Sequence, residues 1–410
     1  MATATATVVE RRSTPLDAGV WEVLGDSEEF WELEGRGLLE VRAHRAGGVS
    51  LRGRSWVGRA TAAGITISFE EKIPGALAKL IEHASQSAFR VEDVHGASTE
   101  LGDLAALLIH ELITRSREYV SRGADFEYTS DLHASSLIGG RIDVPETIKL
   151  RAQGRRHQAA FWRPDITRSV ELNQTVLAAL RQVELLAPGL PLKQGDLVHA
   201  RGVAQMIDEA RTPDVLFGAR TGWVRRAQAL ADRLDEPLRA DLAALASVVL
   251  AHESFEHGPA IGGSPRAWFL NLETLFEEAL RRVLKAAAKP MRVTRGTESR
   301  LIFDSSGLYD ATPDVVVRQS EGTVHAIGDA KYKDWPSASD ASMHSDVYQL
   351  LAHAKAWDAG VAFLAYPHSE FDALDLGTSV TGCRTFAFAL DVADLDGSAA
   401  AALSEMGIGP

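Results

Sequence analysis

The sequence predicts an α/β protein in three parts: a β-rich N-terminal domain, a mostly helical middle region and an α/β C-terminal domain. Three observations carry that expectation. The chain has 410 residues, more than the roughly 250–300 at which one hydrophobic core stops growing, so two or three compact units are expected. Short β-branched runs broken by glycine pairs fill Gly37 to Phe69, whereas long amphipathic patterns fill the middle. Gly and Pro hold five of the eight positions in "GPAIGGSP", Gly258 to Pro265, the composition of a linker. The domains are accordingly set at 1–130, 131–257 and 258–410.

Each element follows in order. "EEKIPGALAKLIEHA" puts Leu77, Leu80 and Ile81 at helical spacing with Pro74 in the first turn. "STELGDLAALLIHELITRSREYV" is a second helix with a continuous apolar face from Leu104 to Ile113, and Gly123 and Asp125 close the section. "LIGGRIDVPETI" reads as a glycine turn into a short strand stopped by Pro145. "RSVELNQTVLAALRQVELLAP" is an amphipathic helix ending at Pro188, and helices follow from Gly222 to Arg233 and from Pro237 to His252. Beyond the linker, "NLETLFEEALRRVLKAA" is a helix, and "DATPDVVVRQ" and "VHAIGDAKYKD" are strands joined by a hairpin at Ser320-Glu-Gly322. "SDVYQLLAHAKAWDA" is a helix, and "GVAFLAYP" is a buried strand stopping at Pro367.

Composition excludes several classes. A formal net charge of -13 rules out a chain that coats nucleic acid by bulk positive charge, so any such contact must be local. The single cysteine, Cys383, permits neither an intramolecular disulfide nor a thiolate metal cluster, which points to a reducing cytoplasm. No apolar run approaches a membrane span, and the Ala/Thr-rich start lacks the pattern of a secretory signal.

The chemistry concentrates in the C-terminal part. Pro313-Asp314 opens the run Val315-Val316-Val317, and Asp329-Ala330-Lys331 follows fifteen positions later. In a strand the side chains at i and i+2 share a face, so Asp329 and Lys331 project together while Ala330 turns into the core. A hairpin brings Asp314 beside Asp329, where the two carboxylates and the Ala330 carbonyl offer hard oxygen ligands suited to Mg²⁺ or Mn²⁺. Such a metal lowers the pKa of a bound water, and Lys331 holds the nucleophile or offsets the growing negative charge, the layout of a phosphodiester hydrolysis site. A solvated edge-strand face is the competing reading of an isolated D-x-K. Charges at the ends of apolar strands are unusual unless paired or metal-bound.

With "TPDVVV" and "GDAKYK" the chain resembles the PD-(D/E)XK nucleases, which have a restriction-endonuclease-like domain. That resemblance implies a catalytic role for Gln349 in "SDVYQLLAHA", and makes Glu277 in "LFEEAL" the upstream glutamate that completes the metal shell. Relatives carry Q-x-x-x-Y on that helix, where this chain has His353 at the last position. The segment "SWVGRATAAGITISFEEKIPGALAKLIEHA", then "GGRIDVPETI", the block "AFWRPDITRSVELNQTVLAALRQ" and "FLAYPHSE" are similar, in that order, to McrC, the nuclease subunit of McrBC-type modification-dependent (5-methylcytosine) restriction systems. Arg141, Asp143 and Asn173 match family positions without an evident mechanism, and a buried structural network is a competing reading.

The McrC resemblance implies a partner, a hexameric McrB-like AAA+ GTPase that recognises modified DNA, with the N-terminal part of this subunit entering the pore and stimulating GTP hydrolysis. The sequence contains no G-x-x-x-x-G-K-(S/T) stretch, so the NTPase is expected on a separate chain. Arg52, Arg54 and Arg59 are candidates for an inserted basic finger. Between Arg281 and Arg300 there are seven basic residues against one acid, and Arg281, Arg282, Lys285, Arg292 and Arg295 are the expected DNA-backbone contacts.

Two decoys are set aside. "HESFEH" lacks His at i and i+4, so it is no helical zinc motif, and Cys383 sits in an apolar run as an inert thiol. The expected function is a Mg²⁺-dependent endodeoxyribonuclease subunit of a GTP-driven restriction complex in antiviral defense. The alternatives are a GTPase-activating assembly subunit with an inactive nuclease site and a stand-alone PD-(D/E)XK repair nuclease.

Overall fold

The computed structural model describes residues 5–45, 47–85, 101–187, 190, 192–207, 220–251, 253–255, 267–296, 300–302, 310–335 and 341–408. It is a mixed α/β chain with four sheets among the described residues. The expected linker Gly258 to Pro265 lies outside them.

The N-terminal part contains two sheets. Strands Thr5–Val9, Ile65–Glu70, Trp56–Ala62, Ala267–Asn271 and Glu253–Phe255 lie side by side in that order, the first pair parallel and the rest antiparallel. Strands Ser13–Leu16, Val49–Gly53 and Leu39–Ala43 form a second, antiparallel sheet. Strands on both sides of the linker, Glu253–Phe255 and Ala267–Asn271, therefore belong to the N-terminal sheet before the chain enters the C-terminal one. Helix Leu101–Ser121 is followed, beyond the arm described next, by Glu171–Leu186, Arg220–Arg233 and Pro237–Ala251, plus Gln194–Ile207, which the periodicity did not mark. Helix Ala76–Ser85 buries Leu77, Leu80 and Ile81. Pro74 precedes its first turn, and the Glu71 carboxylate accepts from the Gly75 and Leu77 N–H groups there.

Between the first and second long helices stands an arm. Strands Glu127–Ser135, Ala159–Thr167 and Arg141–Ile142 form a three-stranded antiparallel sheet, and Pro145 does not stop a strand but lies in the first turn of helix Val144–Ala152. Half of the exposed large apolar side chains among the described residues fall between positions 126 and 166.

The C-terminal sheet has six strands in the order Arg292–Thr294, Val315–Arg318, Val324–Ala330, Val361–His368, Arg384–Asp391, Asp372–Thr378. Its three central strands run parallel and its flanks antiparallel. Both faces are covered, as parallel strands require. Val315, Val317, Ala326 and Phe363 join the large core that contains helices Leu272–Ala287 and Leu395–Glu405, whereas Val316, Ile327, Ala362 and Leu364 face helix Ala341–Trp357. Among the described residues no helix is long and apolar enough to cross a membrane.

Candidate active site

Strand pairing assembles the predicted constellation. Val315, Val316 and Val317 are fully buried, which pins their strand, and Val315 pairs with Gly328. Asp314, one step outside that pair, therefore meets the end of the neighbouring strand, and its Oδ2 accepts the Ala330 N–H at 2.9 Å. Gly328 lies opposite Phe363 in the parallel pair, and a Cβ there would fall 2.2 Å from the ring. Only glycine lets the phenylalanine close over the strand immediately before Asp329. The Lys331 N–H donates to Ala365 O at 2.8 Å, holding the lysine on the ladder so that its side chain shares a face with Asp329.

That face is the one covered by helix Ala341–Trp357. Lys331 Nζ donates to Gln349 Oε1 at 3.1 Å and stands 3.3 Å from Asp329 Oδ2. Asp329 is buried, and Oδ2 nonetheless has no aligned hydrogen-bond donor. His353 Nδ1 lies 3.5 Å from the other oxygen of Asp329, also without hydrogen-bond alignment. Burial works to raise the Asp329 pKa, but His353 and Lys331 outweigh it and hold the carboxyl below its ordinary value. Asp314 goes the other way: burial, then the charges of Glu277 and Asp329, push it well above the carboxylate range. Burial would discharge Lys331, yet Asp329 and Asp314 keep its pKa raised. Two carboxylates with divergent affinities for a proton, one with an unsatisfied buried oxygen, fit a hard divalent cation.

Other expected residues fall differently. Glu277 is close enough to act on Asp314, but its Oε2 accepts from Arg295 at 3.0 Å. Among the described residues the one group of three acidic or imidazole side chains whose ligand atoms all lie within 4.8 Å of each other is Asp131, His133 and Asp165 on the arm. Asp314, Asp329 and Glu277 do not close to that distance, and on the arm Arg163 already binds Asp165 at 2.8 Å. The phosphate contacts expected of Arg281 and Arg282 are corrected here. Both side chains are buried, Arg281 on Glu278 at 2.9 Å and Arg282 on Glu278 at 2.8 Å and Asp241 at 3.3 Å. Lys285 and Arg292 are exposed, and Arg295 is half-buried.

Two of the three family-matching positions, Asp143 and Asn173, gain structural roles. Asp143 caps helix Val144–Ala152, accepting the Glu146 N–H at 3.0 Å, and its Oδ2 accepts from Trp162 Nε1 at 2.9 Å. The signal was present as Asp-x-x-Glu with a proline between. Asn173 is buried; it accepts from Tyr119 Oη at 2.7 Å and donates to the Asp125 and Arg168 carbonyls at 2.8 Å. Arg141 lies on the exposed third strand of the arm. Arg52 donates to the Arg11 carbonyl and Arg54 stands 3.4 Å from Glu40, while Arg59 is exposed. Glu253–Phe255 of "HESFEH" is a strand, not a helix end. Cys383 is buried, and burial pushes its thiol up.

Fold and geometry thus define a mixed α/β protein whose covered sheet presents two carboxylates and a lysine at the ends of adjacent strands. The family model described as "McrBC 5-methylcytosine restriction system component" matches residues 65–367, and the chain belongs to that family. No curated protein matches it. Among solved structures, it is similar to a chain of a refined half-complex from the tetradecameric assembly of Thermococcus gammatolerans McrB AAA+ hexamers with bound McrC, at 16% identity and a TM-score of 0.45, with 98% of this chain and 100% of that chain covered. It is also similar to a chain of the Thermococcus gammatolerans McrBC complex solved by cryo-EM, at 15% identity and a TM-score of 0.38, with 68% and 87% covered.

Proposed function

We propose that the chain is the endonuclease subunit of a GTP-driven McrBC-type restriction complex, hydrolysing phosphodiester bonds in modified DNA. The observation that carries this reading is the junction of Asp314, Asp329 and Lys331, with Asp329 Oδ2 buried and lacking a hydrogen bond. Held by Asp314, Asp329 and the Ala330 carbonyl, Mg²⁺ or Mn²⁺ would supply an acidified water and offset charge on the phosphate. Lys331 orients the attacking water and offsets the negative charge that gathers on the phosphate oxygens as the bond to the leaving sugar oxygen breaks. Gln349 fixes the lysine from the covering helix at 3.1 Å. In this reading the C-terminal sheet belongs to the PD-(D/E)XK class, with residues 258–410 as the nuclease domain.

The partner is a McrB-like AAA+ GTPase, and residues 1–130 with the apolar arm face it. Tyr128, Leu137, Ile138, Val144 and Ile148 on that arm are exposed, the kind of surface by which a soluble chain meets another protein. The test uses the full chain with a McrB-like AAA+ chain and methylated plasmid. Asp329→Ala is expected to abolish cleavage in Mg²⁺ while partner binding and GTP turnover persist. Full cleavage by Asp329→Ala sinks the assignment.

A further inference from the structure

The helix that covers the face of Asp329 and Lys331 meets it in register. Asp346, Gln349 and His353 lie at i, i+3 and i+7 of helix Ala341–Trp357, one face of an α-helix. They stand against Lys333, Lys331 and Asp329, alternate positions of the chain opposite. Two of the three pairs are hydrogen-bonded. Lys333 Nζ donates to both oxygens of buried Asp346 at 2.7 and 3.0 Å, where Tyr366 Oη donates as well at 3.1 Å, and Lys331 Nζ donates to Gln349 Oε1 at 3.1 Å. The third pair, His353 and Asp329, is not.

His353 is 5% exposed, and its Nδ1 is buried with no hydrogen-bond partner although Asp329 Oδ1 lies 3.5 Å away. Asp329 is 2% exposed, and its Oδ2 also lacks an aligned donor. Buried polar atoms are nearly all satisfied by protein, water or an ion. Here an imidazole nitrogen and a carboxylate oxygen, both metal-ligating atoms, are left open on neighbouring groups. The 3.5 Å separation is long for a hydrogen bond but close to that of two ligands on a shared ion. Ligand atoms each about 2.1 Å from one cation stand about 3.0–3.4 Å apart at octahedral or tetrahedral angles. The two hydrogen-bonded pairs beside it fix the helix against the strand, and with it the place of His353.

An imidazole changes which ion a site prefers. Carboxylate, carbonyl and water oxygens suit Mg²⁺, which gains little from a nitrogen ligand, whereas first-row transition metals accept imidazole among oxygen ligands. The nuclease relatives carry tyrosine at this place on the helix, so the nitrogen is a departure of this chain. We propose that His353 supplies, through Nδ1, a nitrogen ligand to the divalent cation held at Asp329, and so tunes the site toward Mn²⁺ over Mg²⁺. The proposal rests on the metal-dependent reading of this site for the presence of the ion, and on the open Nδ1 for the ligand.

The experiment titrates the metal-free full chain with Mn²⁺ alone and with Mg²⁺ alone by calorimetry, and records the electron spin echo of bound Mn²⁺, whose decay a coordinated imidazole nitrogen modulates. The wild type is expected to show that nitrogen modulation and His353→Gln to lose it. His353→Gln is expected to weaken Mn²⁺ binding roughly tenfold, the scale on which changes around a metal alter affinity, and Mg²⁺ binding by less than about threefold. His353→Tyr, which keeps an aromatic ring but no nitrogen, is expected to behave like His353→Gln in both readouts. The metal-free thermal midpoint of each variant verifies folding. Nitrogen modulation that is absent from the wild type, or that persists in both variants, overturns the proposal. So does an equal loss of Mn²⁺ and Mg²⁺ affinity, which marks His353 as a packing residue. If the wild type binds Mn²⁺ without nitrogen modulation while Asp329→Ala abolishes binding, the carboxylate site stands and only the role of His353 falls. If Mn²⁺ does not bind at all, the metal-dependent reading of the site fails and the proposal with it.

Discussion

At the scale of single residues, the environments of Asp314 and Asp329 push their proton affinities in opposite directions. Asp329 is held charged by its neighbours, while burial and two nearby carboxylates hold the Asp314 pKa well above the carboxylate range. On the nuclease reading proposed above, a divalent cation would displace a proton as it binds. Mg²⁺ affinity is expected to rise with pH until Asp314 ionises, with up to about one proton released per metal at neutral pH. Calorimetric titration in two buffers of different ionisation enthalpy measures that proton, and zero release contradicts the coupling. The pair was legible in the sequence because one hairpin and a period of two fix its geometry locally. Arg281 and Arg282 were misread because a count of charge along a chain does not say which side of a helix is solvent. The pattern did contain the answer in Glu278, three and four positions before them, the spacing of helical ion pairs.

At the scale of elements, that same cluster makes helix Leu272–Ala287 a buried electrostatic unit. Glu278 is buried with Arg281 and Arg282 on its two oxygens. Burial opposes its charge, but the arginines win and hold its pKa down at about 2. A carboxyl depressed from 4.5 to about 2 contributes stability that is present above the unfolded value and is lost as pH falls through that window. Glu278→Gln strands two buried cations and is expected to cost about 3–5 kcal/mol, and to flatten the acid limb of the stability curve between pH 4.5 and 2. Urea unfolding at pH 7 and pH 3 checks both, and a loss equal at the two pH values refutes the ionic account. The arm is the element that the sequence concealed. Glu127–Ser135 has mostly exposed side chains, so no alternation of apolar and polar residues marks it, and Pro164 speaks against a strand in Ala159–Thr167. Val315–Arg318, Val324–Ala330 and Val361–His368 were readable because their side chains are largely buried on both faces, whereas the mostly exposed edge strand Asp372–Thr378 was not marked.

At the scale of the whole molecule, the N-terminal sheet and the C-terminal sheet meet at Tyr332 and Asp334, one and three residues beyond Lys331. Lys72 Nζ stands 3.2 Å from Asp334 Oδ1 and 5.2 Å from the centre of the Tyr332 ring. Glu10, buried beside them, has no aligned hydrogen bond at either carboxylate oxygen, although Tyr332 and Lys72 are near. Burial pushes its carboxyl up to about 8, against the opposing charges of Lys72 and Arg11. The folded protein therefore keeps a proton on Glu10 that the unfolded chain releases above 4.5. Its stabilising contribution is full below the unfolded value and is lost as pH rises through the folded one, by at most about 1.4 kcal/mol per pH unit. Glu10→Gln stays neutral throughout, so its thermal midpoint is expected to fall less than that of the wild type between pH 5 and about 8. Burial also pulls Lys72 down while the Glu10 charge works to raise it, so the difference between variant and wild type reports the Glu10–Lys72 pair, and parallel curves would show that Glu10 does not titrate there. Because this junction continues directly into the strand end that carries Lys331, the same measurement bears on function. If, on the nuclease reading proposed above, partner contact on the N-terminal part reaches Lys331 through these groups, Glu10→Gln should alter the pH profile of partner-stimulated cleavage while leaving GTP turnover unchanged.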